Sequence, residues 1–349
     1  MQQNGIKIAG LALILAFTNA SWAEMVEDLY AAVVPVKDVG QDALIDASRE
    51  ALAQVLVKVT GRDAALLNPV IVVALGESRS LVQRFAYARD GETGAELSAH
   101  FEFDVSVIAR LIQQAGEPFW TANRPATMTW IVVEGPEGRQ FLNSETAPRL
   151  TASLSQEFGR RGIPIRMPLY DIDDAAAIDP DELWGLRTIP LREASQRYGG
   201  KNILAGRVAV LSNGDWLGEW AYLSHNSRVD RSIKVDDASG FFKLGSALVA
   251  EQMSARFAVA TSVDATTHVR VKVAGVSSYS DYADIVQWLQ GLELIDNANI
   301  TSIRGDVIRL NLSARADGQS LATTIGLNTQ LQSVPTVGRD EELSYQWQN

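Results

Sequence analysis

The stretch Glu96-Leu97-Ser98-Ala99-His100-Phe101-Glu102-Phe103 alternates polar and apolar residues along its whole length, and Asp104 follows it. A period of two puts Leu97, Ala99, Phe101 and Phe103 on one face of a β-strand and the polar residues on the other, so one face is buried and the other wet. Then the period changes. Asp104 caps a helix through Val105, Ile108, Leu111 and Ile112, which Gly116 and Pro118 stop. A strand feeding a capped helix sets the class as α+β, and the same switching of periods recurs outward from it. Upstream, Leu29 to Val36 reads as a strand, and Leu44, Ala51, Leu52, Val55, Leu56 and Val59 recur at helical spacing as far as Gly61, a left-handed stop. Asn68-Pro69 opens a second helical region expected to run to about Tyr87, and Asp90-Gly91 with Gly94 marks a turn. Together these form an N-terminal α+β module, residues 24–120.

Thr121 to Pro125 reads as a linker into a central α/β module, residues 125–262. Met128 to Val133 is a buried-strand run, Gly135 to Gly138 a turn, Arg149 to Phe158 a helix and Ile163 to Met167 a strand. An acidic loop runs from Asp171 to Glu182. Leu191 to Tyr198 reads as a helix stopped by Gly199-Gly200, and Asn202 to Leu211 as a strand. Asn213-Gly214 is a hairpin turn returning through Trp216 to Ser224, and a last helix covers about Phe241 to Ala258.

The C-terminal module, residues 266–335, is compact. Val269, Val271 and Val273 alternate with Arg270 and Lys272, Ser278 with Asp281 forms a capping box, and Gly291 ends that helix. A hairpin turns at Gly305-Asp306, and Asp317 caps a helix through Leu321 and Ile325. The order βαββα, with Leu331 to Val334 as a final strand, is that of a ferredoxin-like split βαβ. Residues 336–349 read as a polar tail. The fold class expected is three small mixed α/β modules in tandem.

Composition narrows the function classes. The 349 residues carry a formal net charge of −11, three His and no Cys. An acidic balance excludes a sequence-independent nucleic-acid binder, and the missing cysteines exclude disulfides, a thiol nucleophile and Cys-ligated zinc. At the N-terminus, Lys7 precedes the apolar run Ile8 to Phe17, and Ser21-Trp22-Ala23 places small residues ahead of Glu24. This is the pattern of a cleavable signal peptide, residues 1–23, and implies a periplasmic location, because the apolar run is too short to span a membrane.

Several segments taken in order bring a family to mind: Val57-Lys58-Val59-Thr60-Gly61-Arg62, then Phe101 to Asp104 leading to Leu111 to Trp120, then Pro168-Leu169-Tyr170-Asp171 with Asp174, then Tyr198-Gly199 before Ile203 to Arg207. The combination resembles the exported proteobacterial domain of unknown function 2066 family, over about Glu24 to Ala260. The resemblance implies an envelope location and supplies no activity and no catalytic residues.

Three constellations carry possible chemistry. In the acidic loop, Asp171, Asp173, Asp179 and Glu182 fall at positions 1, 3, 9 and 12 of a calcium loop, but Ala175 and Ala176 stand where a ligand and the turn glycine belong. A solvated loop with Asp179-Pro180 as a helix start is the plainer reading. The polar strand face of Glu96, His100 and Glu102 would need ligands from another strand to hold a metal. Trp216, Trp220 and Tyr222 share one face of the hairpin's return strand. Such a row stacks on sugar rings when exposed and forms core beneath a helix when buried.

No catalytic, metal or cofactor residues are assigned, and no cofactor is expected. Trp216, Trp220, Tyr222, Asp171 and Asp174 are the interaction candidates. The reading is a non-enzymatic interaction or accessory factor of the cell envelope, whose partner is an envelope protein or a cell-wall component. The alternatives are a glycan- or peptidoglycan-binding module using the aromatic face, and a hydrolase with a scattered Asp, Glu and His site.

Overall fold

The computed structural model describes residues 23–90, 96–260, 267–328, 330–334 and 342–348. The signal-peptide segment up to Trp22, the Gly91 and Gly94 turn positions and the second module boundary at 263–265 lie outside these residues. The chain is a mixed α+β protein, and no helix among the described residues is long and apolar enough to cross a membrane.

The first unit comprises β1 (Ala23–Met25), β2 (Ala31–Pro35), α1 (Gln41–Thr60), α2 (Pro69–Gly76), α3 (Ser78–Leu81), β3 (Val82–Asp90), β4 (Glu96–Phe103) and α4 (Val105–Gln114). An antiparallel sheet in the order β2-β4-β3 presents Ala99, Phe101 and Phe103 to the buried stripe of α1. Gly61 ends α1 at φ 73°, and a Cβ there would lie 2.4 Å from the Cβ of Ser254, so the helix end abuts the second unit. Asp104 accepts from the amides of Ser106 and Val107, as an N-cap should. The helix expected to reach Tyr87 stops earlier. From Val82 the chain is β3, because its β-branched and aromatic residues find a ladder partner in β4 that local propensity does not reveal.

The second unit comprises β5 (Asn123–Pro125), β6 (Thr127–Gly135), β7 (Gly138–Phe141), α5 (Pro148–Gly159), β8 (Ile165–Arg166), α6 (Ile172–Ala177), α7 (Pro180–Trp184), α8 (Thr188–Ser195), β9 (Asn202–Val210), β10 (Trp216–Ser224), β11 (Ser227–Val235) and α9 (Ala238–Phe257). Its sheet runs β11-β10-β9-β6-β7, with β8 also beside β6. Alternate residues divide between two cores. Ile131, Leu204, Trp220 and Tyr222 pack with Leu154 and Phe158 of α5 and the apolar side of α9. Trp130, Val132, Ile203 and Ala221 pack with Ile178, Leu183 and Leu191 of the α6–α8 side. The acidic loop is thus largely helical, its two turns capped by Asp171 and Asp179. β11 was not read from the sequence: its polar run pairs along the edge of β10.

The third unit comprises β12 (Thr267–Ala274), α10 (Tyr279–Gln290), β13 (Ile295–Arg304), β14 (Val307–Ala314), α11 (Gly318–Ile325), β15 (Leu331–Ser333) and β16 (Glu342–Trp347). The capping box at Ser278 and the Asp317 cap are both formed. The sheet order is β13-β14-β12-β16-β15. In place of the expected polar tail, Tyr345 and Trp347 bury their rings and β16 runs parallel to β12, holding β15 away from it. That inserted strand departs from a four-stranded split βαβ.

The expected linker is the least linker-like segment of the chain. Thr121, Ala122, Asn123 and Arg124 are buried, and β5 pairs with β1. All five N–H groups of Arg124 are held by carbonyls: Nε by Thr121 at 2.8 Å, Nη1 by Arg161 at 3.1 Å and Gly162 at 2.8 Å, Nη2 by Lys58 at 2.8 Å and Trp120 at 2.9 Å. The guanidinium lies 3.6 Å from the centre of the Trp120 ring. From the third unit, Glu293 accepts from the Ala122 amide at 2.9 Å and from the Tyr30 hydroxyl at 3.4 Å. The first and third units share one buried cluster, so chain order and packing divide this molecule differently.

Candidate functional site

The sequence-derived candidates fall into three places. Trp216, Trp220 and Tyr222 are all buried beneath α9, with Trp220 stacked on Phe241 at 4.4 Å and its Nε1 donating to the Phe241 carbonyl at 3.0 Å. The face is core because α9 brings glycine and phenylalanine to it, so this row presents no ring to a sugar.

Asp171 and Asp174 belong to a closed polar network. Asp174, fully buried, accepts from the Tyr198 hydroxyl at 2.6 Å, the Tyr170 amide at 2.8 Å and Arg197 at 3.2 Å. Asp171 takes both guanidinium arms of Arg197, at 2.6 and 2.9 Å, and the Asp174 amide at 3.0 Å. Those hydrogen bonds, led by Arg197, hold the Asp171 carboxyl down to about 2, while burial and then Asp174 push the Tyr198 phenol up to about 12. Tyr170 occupies the left-handed region at φ 55°, a conformation costing about 1–3 kcal/mol in a non-glycine residue. The network fixes that turn against Trp130. Among the described residues no group of three or more acidic or histidine side chains is placed to hold a metal ion.

The third candidate leads to a site. His100 and Glu102 do share a strand face, and both line a cleft of about 370 Å3 between the first sheet and the end of α5. Of Glu96 only the backbone is described. Across the cleft stand Gln156 and Arg160, the latter paired with Glu157 at 3.0 Å; Glu102 is paired with Arg84. Lys58 lies at the inner wall, 6% exposed, its Nζ donating to the carbonyls of Asp28 at 2.9 Å and Ala31 at 2.8 Å. Ala31 is on β2, the edge strand, so this lysine satisfies an edge carbonyl that the sheet leaves open. Its third proton has no acceptor among the described residues. Burial pulls the ammonium down to about 8; Asp28 opposes the shift and Arg124 adds to it.

Sequence reasoning passed over Lys58, although the signal was present. It stands three residues after Val55 and seven after Ala51, inside the buried stripe of α1, where an unpaired cation is costly. A lysine that titrates near 8 reacts as a free amine at a pH where surface lysines are protonated. Competitive labelling with acetic anhydride, followed by mass spectrometry across pH 6–11, should place half-reaction of Lys58 at about 8. Half-reaction of Lys58 at the model-peptide lysine value of about 10.4 would show that burial does not perturb it.

Among known families, the model of a domain of unknown function, DUF8605, matches residues 23–121. This overturns the resemblance to the 2066 family, which is a different domain. The segments that carried it are element junctions: a helix end with its Gly61 stop, a strand meeting the Asp104 cap, and the capped turns at Asp171 and Gly199. Such junctions recur wherever a chain changes direction, so their order is a weak signature. The match spans the first unit, including the Lys58 and β4 walls of the cleft. No curated protein matches the chain.

Proposed function

We propose that this protein is an exported accessory factor of the cell envelope that works in the periplasm by binding, with the cleft beside Lys58 as its ligand site. The observation that carries the reading is the spare proton of Lys58 in a cleft walled by two units and lined by both signs of charge, Lys58 and Arg160 with Asp28 and Glu102. Cations and carboxylates facing one space suit a polar chain segment bearing both amide and carboxylate groups, as a segment of an envelope protein does. The envelope location rests on Lys7, the apolar run to Phe17 and the Ser21-Trp22-Ala23 pattern.

A photoreactive residue placed at Gln156, in the cleft, should give a crosslinked partner in intact cells, and Lys58→Met should abolish that adduct. The same residue at Glu193, exposed on α8, should give none. The purified protein should begin at Glu24. An adduct indifferent to Lys58 would remove the cleft from the reading, and a chain still starting at Met1 would remove the export.

A further inference from the structure

Among the described residues, the third sheet has helices on one face only. Val269, Val271, Val273, Ile308, Leu310 and Leu312 are buried with Ile285 and Leu289 of α10 and Leu321 and Ile325 of α11. The helix-bearing side joins the rest of the molecule: Glu293, just past α10, meets Tyr30, Thr324 of α11 accepts from Asn123, and α11 contacts α9. By strand alternation the opposite face is left to His268, Arg270 and Lys272 of β12 and to Arg309, Asn311 and Ser313 of β14.

The register on that face is unusual in its charges. Lys272 is directly opposite Arg309, and Arg270 directly opposite Asn311, one pair along. Side chains in such positions have Cβ atoms about 5 Å apart, and like charges placed there destabilise a sheet. One acid, Glu342 of β16, stands beside Arg270 in register and pairs with Arg309 at 3.4 Å. Among the described residues neither Arg270 nor Lys272 has an ion-pair partner, and the Asn311 amide has no hydrogen-bond partner. Three cations and one carboxylate thus occupy one open patch of a chain whose net charge is −11. Two of the cations, Arg270 and Arg309, line a depression of about 510 Å3 together with Thr301, Asn311 and Glu342, and Lys272 lies beside it on β12.

We propose that this depression is a binding site for a phosphate group, held by Arg270 and Arg309 with Asn311 completing the donor set and Lys272 adding positive charge beside it. A tetrahedral oxyanion satisfies two planar guanidinium forks and an amide at once, and it neutralises the cross-strand repulsion. Glu342 fixes the orientation of Arg309 and limits the site to strongly charged anions. An acidic peptide fits less well, because the donors converge on one depression and do not extend along a strand. The site is distinct from the Lys58 cleft, which lies on the first sheet.

The test is titration of the full mature chain with inorganic phosphate and pyrophosphate by calorimetry, together with flotation on phosphatidylcholine vesicles with and without phosphatidic acid. Binding to the soluble anions alone identifies a soluble phosphate-bearing ligand; flotation only with phosphatidic acid identifies a phosphate headgroup, and both results support the site. Arg270→Gln with Arg309→Gln should weaken binding about tenfold or more while leaving the circular dichroism unchanged, because both side chains lie off the packed face. Arg270→Lys should retain part of the affinity. Binding unaffected by the double substitution, no binding to any phosphate-bearing probe, or displacement of phosphate by polyglutamate at equal charge would overturn the proposal.

Discussion

Replacing Arg124 by Met should cost about 3–5 kcal/mol of stability, the loss typical of removing one member of a buried charge network. The side chain is fully buried, and burial lowers its pKa to about 9, with Glu293 and then Tyr30 opposing, so it remains charged at neutral pH. The substitution withdraws five donors from carbonyls drawn from α1, from the turn after α5 and from the segment 120–121. It also removes one of the two cations beside Glu293, leaving Arg315. Arg124→Lys should recover only part of the loss, since a point ammonium with three donors cannot reproduce a five-donor fork. Urea unfolding of the wild type, the two variants, Glu293→Gln and the double variant would measure both the loss and its coupling to the third unit. A change in midpoint equivalent to less than about 1 kcal/mol, the size of an ordinary substitution, would mean that water replaces the guanidinium and that the units are joined by other contacts.

The second large effect concerns Trp220. Its ring lies across Gly206 of β9, directly opposite in register, and against Gly245 of α9. A Cβ at Gly206 would stand 2.4 Å from Cζ3 of the ring and one at Gly245 2.6 Å from Cε2. Trp220→Ala should cost about 3–5 kcal/mol through lost burial and an unfilled cavity. Gly206→Ala should cost about 1–3 kcal/mol by overpacking in the wild type. In the Trp220→Ala background the same Gly206→Ala change should be neutral or stabilising, because the added methyl then enters the vacated space. Denaturant unfolding of the four proteins gives the coupling, and strict additivity would contradict the packing described.

Elements whose signal is local were legible in the sequence. The β4 alternation, the Gly61 stop, the caps at Asp104, Asp179, Ser278 and Asp317, and the Asn213-Gly214 hairpin all depend on near neighbours. What escaped depended on partners far along the chain. β3 resembles a continuation of the preceding helices until β4 is beside it, and β11 resembles solvent-facing coil until β10 supplies its ladder. The segment from Thr121 to Pro125 has a linker's composition, and only the fold shows that its arginine meets carbonyls from positions 58 and 161. The same holds for the site: His100 and Glu102 were visible as a wet strand face, whereas Lys58 joins them only through the packing of α1 behind β2.

β16 sits parallel to β12 and between it and β15, and it follows every other element of the third unit in sequence. A polypeptide that emerges N-terminus first presents β12 early and must keep that strand's edge unpaired until every other element of the third unit has appeared. The closing strand therefore acts as a keystone laid after every other element of this unit. Proteolytic trimming before Glu342 would expose the edge of β12 and leave β15 without its ladder partner, unpaired backbone by which a quality-control protease distinguishes a trimmed copy.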